Sequence, residues 1–209
     1  MPCAVGGNDK IIGLICKNYI FLLYLCRHYK VNKTKMKSVT LSDSELRKAA
    51  ETGMDEFIGV VHGAIMKAAG GELTAESMAE LNASQITLAA YIILRDEVMD
   101  GGFVQLIHNG YGGFIYLNPF AKVMKRWGLK DLSNMIYSTH TLYCKYGEEI
   151  EKDCTDEEFM AMFEKYEEFD EFDDDFVENE EDWTAMIAAY VDDHLDDFVT
   201  EITYEQQEG

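Results

Sequence analysis

The chain has 209 residues, 47% of them hydrophobic and 12% aromatic, and 39 acidic side chains against 18 Lys and Arg give a formal net charge of −21. A chain of this size can bury one core, and its aromatic content is too high for an acidic disordered segment. The charge opposes direct binding to nucleic acid or to an anionic membrane.

Residues 1–35 do not match the rest. They carry Lys10, Lys17, Arg27, Lys30, Lys33 and Lys35 against a single acid, Asp9. The apolar run Tyr19–Cys26 is shorter than the roughly 17 to 25 residues that span a bilayer. The next four residues, Arg27-His28-Tyr29-Lys30, form no signal-peptide cleavage site. Residues 1–35 read as a basic, apolar extension outside the fold, with Met36 as an alternative start and a membrane-surface anchor as the other reading. Residues 36–209 read as the functional unit. The cysteines, Cys3, Cys16, Cys26, Cys144 and Cys154, form no C-x-x-C pair, which suits free thiols in a reducing cytosol.

From Ser42 the helix punctuation is dense. Ser42-x-x-Glu45 forms a capping box for a helix to about Thr52. Met54 to Ala69 repeats apolar residues at helical period and stops at Gly70-Gly71. Ser84 is expected to cap a longer central helix through Met99, closed by Gly101-Gly102. Asn118-Pro119 opens another helix that ends by Gly128, and the next runs from Asp131 to about Tyr146. Thr155-x-x-Glu158 is a second capping box, after which Phe159, Met162, Phe163, Tyr166 and Phe169 share a helix face. A last helix is read from Trp183 through Ile187, Tyr190 and Val191 to Phe198. No segment alternates with period two and only two prolines occur, so the expectation is an all-α, single-domain helical bundle of about seven or eight helices.

Residues 148–209 hold 26 acids against Lys152 and Lys165. Glu164, Glu167, Glu168 and Glu171 are expected opposite the aromatic stripe, Asp173, Asp174 and Asp175 in the connection, and Asp192, Asp193, Asp196 and Asp197 on the outer side of the last helix. Rigid carboxylate rows spaced about 6 Å apart along a helix can roughly imitate a phosphate rail. Acids at i,i+4 repel by a few tenths of a kcal/mol. A solvated helix face is the plain alternative, and so dense a run argues for a use of its field.

The most distinctive segment is Glu97-Val98-Met99-Asp100-Gly101-Gly102-Phe103-Val104-Gln105, continuing to Asn109-Gly110. Its glycines permit a left-handed turn and close backbone approach, Phe103 can plug the core, and Gln105 and Asn109 can bond freed carbonyls or Glu97. The segment resembles the signature of the bacterial DNA-mimic protein family and its relatives of unknown function, in which a Glu, a polar residue before Gly-Gly-Phe, then Gln and Asn stand at these offsets. Asp100 replaces the usual Asn. Tyr190-Val191-Asp192-Asp193-His194-Leu195-Asp196-Asp197-Phe198 is similar to the family's closing helix, so the resemblance spans roughly residues 54–199. It implies a helical fold, a homodimer, and acidic surfaces that occupy the DNA-binding face of a helix-turn-helix regulator. The glycine corner itself reads as scaffold.

His28, His62, His108, His140 and His194 show no ligand spacing, and no G-x-S-x-G or P-loop occurs. The chain is therefore read as no enzyme, with no cofactor and no metal. A hydrolase built on Glu97 with Asp100 or His108 is the alternative of another class. The run Asp170, Glu171, Asp173, Asp174, Asp175, Glu178 and Glu180 lacks the glycine and ligand order of an EF-hand loop. His194 is expected to pack beside Tyr190 and Phe198 rather than bind metal. Among binding functions, a DNA mimic acting on a basic DNA-binding protein in the cytoplasm comes first, and an inhibitor or immunity protein for a basic enzyme such as a nuclease comes second.

Overall fold

A computed structural model describes residues 37–204. The N-terminal extension, with Cys3, Cys16, Cys26 and His28, and the alternative start at Met36 lie outside the described residues. The order is β1 (Thr40–Ser42), α1 (Asp43–Thr52), α2 (Met54–Ala69), α3 (Ala75–Met78), α4 (Ala83–His108), α5 (Gly112–Tyr116), α6 (Phe120–Arg126), α7 (Lys130–Ile150), α8 (Asp156–Lys165), α9 (Asp170–Asp193) and β2 (Glu201–Thr203). The all-α expectation holds, with nine helices among the described residues, α3 and α5 being single turns.

Local chemistry sets most of the boundaries. Ser42 and Glu45 close their reciprocal cap at the start of α1, and Thr155 and Glu158 do the same for α8, satisfying backbone N–H groups that a helix leaves open. α2 ends in a left-handed Gly70 at φ 93°, where Gly71 N–H donates to Met66 O. The central helix is capped by Asn82 with Gln85 rather than by Ser84. Gln85 Nε2 also donates to Phe198 O at 2.9 Å, so this cap anchors the chain's closing turn.

The glycine pair bends α4 instead of ending it. Gly101 (φ −157°, ψ 28°) and Gly102 (φ 70°, ψ −176°) leave helical geometry, and the helix resumes at once through His108. α4 is the core element: Leu88, Ala89, Tyr91, Leu94, Phe103, Leu106 and Ile107 are fully buried. Burial of each large apolar side chain is worth about 1.5 to 3 kcal/mol. α2, α5, α7 and α9 all pack against α4.

Two further expectations change. The aromatic-stripe helix stops at Lys165, and Glu167–Phe169 is a 3₁₀ turn. The last helix begins at Asp170, thirteen residues before Trp183, and ends at Asp193 before a second 3₁₀ turn at Leu195–Asp197. Instead of two helices with carboxylate faces there is one long helix flanked by short turns. β1 and β2 pair in parallel, with Leu41 opposite Ile202. Thr200 holds the junction: its Oγ1 accepts from Val39 N–H at 2.7 Å, and its N–H donates to Val39 O.

Candidate partner-binding surface

α9 is positioned by its apolar stripe. Phe176, Trp183, Ile187 and Val191 are buried, and Phe176 meets Phe103 and Trp183 edge-on at centroid distances of 6.1 and 5.4 Å. At 100° per residue, Glu171, Asp174, Asp175, Glu178, Glu181, Asp182, Asp192 and Asp193 then fall within an arc of about 120° on the opposite side. All eight are exposed. Glu171 to Asp193 spans about 33 Å of helix axis, close to one turn of B-DNA at roughly 34 to 36 Å. The carboxylates are interrupted at Ala185, Met186 and Ala189, where Met186 is 43% exposed.

None of these eight has a Lys or Arg partner within 4 Å among the described residues. Glu164 and Glu167, exposed beside the first end of α9, and Asp196 and Asp197, exposed beyond its other end, are equally without one. Glu168 differs, accepting from Lys145 Nζ at 2.8 Å and from Tyr146 Oη at 2.6 Å. Its partners hold its carboxyl below the usual range, with the Lys145 bond as the larger cause. The body's cations gather elsewhere: Lys122, Lys125, Arg126 and Lys130 lie exposed on α6 and at the start of α7, none in an ion pair among the described residues. Charge is segregated, not neutralised.

Two acids of the run point inward. Asp173 is half-buried and its Oδ1 accepts from Phe103 N–H at 2.8 Å. Burial pushes this carboxyl up to about 6, against the lowering effect of the Phe103 bond. It caps the resumed half of α4 and joins α9 to the glycine corner. Glu180 is 9% exposed, accepts from Thr184 Oγ1 at 2.7 Å, and lies 3.9 Å from Arg95, which also pairs with Asp55 of α2 at 2.5 Å. The Tyr91 and Thr184 hydroxyls are 2.7 Å apart. This chain of polar contacts fixes α2, α4 and α9 together.

Extending the buried spacing of Phe176, Trp183, Ile187 and Val191 back from Trp183 brings Glu178, Glu181 and Asp182 onto the exposed face. A helix start at Trp183 left them out, although the seven-residue step from Phe176 to Trp183 was the signal.

The glycine corner is scaffold in its geometry. Glu97 Oε2 accepts from Asn109 Nδ2 at 2.7 Å and from Gln105 Nε2 at 3.2 Å, while Gln105 Nε2 also reaches Asp100 Oδ2 at 2.8 Å. These bonds lace the two halves of α4 across the bend. Phe103 is fully buried and stacks on Phe169 at 6.5 Å. His108, the third residue of the hydrolase reading, turns away: its Nδ1 faces Ile150 O at 2.8 Å and its Nε2 faces Cys154 Sγ at 4.0 Å. The Cys154 thiol is pushed up by burial and by neighbouring carboxylates, the opposite of an activated nucleophile.

Of the two neighbours expected for His194, Tyr190 stacks on it at 4.1 Å, whereas Phe198 meets Trp127 edge-on at 5.8 Å; Tyr190 also stacks on Trp127 at 4.4 Å. Among the described residues no three His, Cys, Asp or Glu side chains converge to hold a metal ion. Cys144 and Cys154 are free thiols. No helix among the described residues is long and apolar enough to cross a membrane.

A bent central helix laced at a Gly-Gly corner, against which a long helix with an exposed carboxylate face is packed, defines the class of all-α protein to which this fold belongs. The sequence model of the DMP19-like protein family matches residues 79–194, from just before α4 through the end of α9. The chain belongs to the DMP19-like protein family. It is 32% identical over 124 residues to the DNA mimic protein DMP19 of Neisseria meningitidis serogroup B, a match covering 59% of this chain and 75% of that relative. The matched segment holds both the glycine corner and the carboxylate face, and leaves out β1, α1 and α2.

Proposed function

We propose that the protein is a DNA mimic that presents the carboxylate face of α9 and its flanking turns to the DNA-binding surface of a basic protein, such as a helix-turn-helix regulator, and so blocks access to DNA. The observation that carries this reading is a rigid row of exposed carboxylates about 33 Å long, on a helix whose other side is locked in the core. A DNA-binding surface carries Lys and Arg spaced to meet phosphates. The acidic row offers them negative charge on a helix backbone already fixed in the fold. The family relation to a DNA mimic protein supports the same reading. The partner-facing residues are Glu164, Glu167, Glu168, Glu171, Asp174, Asp175, Asp192, Asp193, Asp196 and Asp197, joined by Glu178, Glu181 and Asp182. Asp173 serves the fold. The working assembly is a homodimer in the cytoplasm, and sedimentation of the purified chain tests the dimer.

The test is capture from host lysate on the immobilised full chain, washed at low and then high salt. The expected catch is a DNA-binding regulator released by salt and by its own operator duplex, and lost when Asp174, Asp175, Glu178 and Asp192 are changed to Lys. Capture of a basic enzyme that operator DNA does not displace would replace mimicry with the inhibitor reading. A chain that hydrolyses a substrate, loses that activity in Glu97→Gln and keeps it in the four-Lys variant would replace both.

A further inference from the structure

We propose that the basic N-terminal segment, residues 10–35, docks on the carboxylate face of its own chain and competes with the external partner. The helix face is unpartnered among the described residues, and the occupant is the stretch of the chain with the largest excess of the opposite charge. Six cations and no acid stand there, to be set against eight exposed carboxylates on α9 that have no cation within 4 Å among the described residues.

The point of attachment favours this occupant. The chain enters the described fold at Lys37, whose N–H donates to Glu80 O at 3.3 Å and whose Nζ pairs with Glu80 at 2.6 Å. Two residues on, Asn82 Nδ2 donates to Asp197 O at 2.7 Å. Val39 is bonded to Thr200, three residues past Asp197. The segment therefore leaves the fold beside the Asp192–Asp197 end of the acidic row. At no more than about 3.3 to 3.6 Å per residue, the stretch from Lys10 to Lys37 reaches at most roughly 2.5 times the length of α9. A tether this short holds its cations at roughly millimolar effective concentration over the face.

The docking stands apart from the identity of any partner. Its regulatory consequence rests on the mimic reading: a segment docked nine-tenths of the time would weaken an outside ligand's apparent affinity about tenfold.

Zero-length carbodiimide cross-linking of the full chain, as an equal mixture of ¹⁴N and ¹⁵N protein, reads the contact directly. The expected products join Lys10 or Lys17 to carboxylates on α9 within one chain, and are lost at high salt. Links spread evenly onto Glu45, Glu51 and Glu56 of α1 and α2, links only between chains, or no links would each overturn the docking. Titration with an octalysine peptide reads the competition. Changing Lys10, Lys17, Arg27, Lys30, Lys33 and Lys35 to Gln should tighten octalysine binding about tenfold at low salt. Changing Lys48, Lys67, Lys122, Lys125, Arg126 and Lys130 to Gln removes the same six charges and should tighten it far less. Equal gains in the two variants would overturn the proposal. Docking without any captured partner would sink the mimic reading alone, and a captured regulator without internal links would sink the docking alone.

Discussion

Asp173 and Gly102 meet where α9 crosses the bend of α4, and each constrains the other. The Asp173 carboxylate receives the Phe103 N–H that the bend leaves open, yet burial holds its carboxyl near 6. The folded chain thus binds that proton more tightly than the unfolded chain does, so this group's contribution to stability falls as pH rises from about 4 to about 6. By pH 7 the full penalty is present, about 3 kcal/mol as an order of magnitude for a shift of roughly two units. Asp173→Asn keeps an acceptor for Phe103 and loses the charge. Urea unfolding should show the variant gaining on the native chain as pH rises from 4 to 7, and a constant difference would contradict the burial argument. Asp173→Ala strands the N–H and should cost about 1 to 3 kcal/mol at pH 4.5. Gly102 has φ +70°, and a Cβ there would strike the Asp173 carboxylate. Gly102→Ala combines the strain of a backbone region open essentially only to glycine (φ 70°, ψ −176°), roughly 1 to 3 kcal/mol, with that displacement, so its urea midpoint should fall further than that of Gly59→Ala, where a Cβ meets nothing within 4 Å.

Helix α9 places like charges where its own dipole opposes them. Asp170, Glu171 and Asp173 at its start suit the positive N-terminal end, whereas Asp192 and Asp193 sit in the last turn, against the negative end. Changing Asp192 and Asp193 to Lys should raise stability by about 0.3 to 1 kcal/mol per site while weakening partner capture. A fall in both would mean that these side chains serve the fold. The same helix shows how far a sequence carries its own fold. The caps Ser42–Glu45 and Thr155–Glu158 and the stop at Gly70 are short-range chemistry, readable within four residues. α9 begins at Asp170, and Phe169 before it supplies no side-chain cap, so nothing local separated its first three turns from a solvated acidic loop. The bend at Gly101-Gly102 read as an end because two glycines permit either outcome, and Asp173, 70 residues away, decides between them. β1 and β2 are three residues each, joined across about 160 positions, with too few alternations to register as a period. Most of the exposed carboxylates were legible one by one, Glu178, Glu181 and Asp182 being left out by the late helix start. The inward turn of Asp173 and Glu180 was not, because it depends on where Phe103 and Arg95 arrive from elsewhere in the chain.

Across the whole molecule, the carboxylate face sets two properties that salt must move in opposite directions. Within the chain, the exposed acids of α9, with no cation within 4 Å among the described residues, repel one another, which burdens the compact state. Between chains, the same uncompensated field attracts a basic surface and speeds encounter. Screening shortens the reach of both, from about 30 Å at 0.01 M ionic strength to about 10 Å at 0.1 M and 3 Å at 1 M. Added sodium chloride should therefore raise the unfolding temperature while it lowers the association rate constant with the captured partner by one to three orders of magnitude, a range typical of electrostatic steering. The dissociation rate should change far less, since contacts already formed are partly shielded from solvent. Calorimetry and stopped-flow on the same protein across that series distinguish the accounts. A solvated face with no partner stabilises with salt but shows no steep association rate with any basic protein. A face already neutralised by bound cations shows neither effect, because added salt would then find no repulsion left to screen.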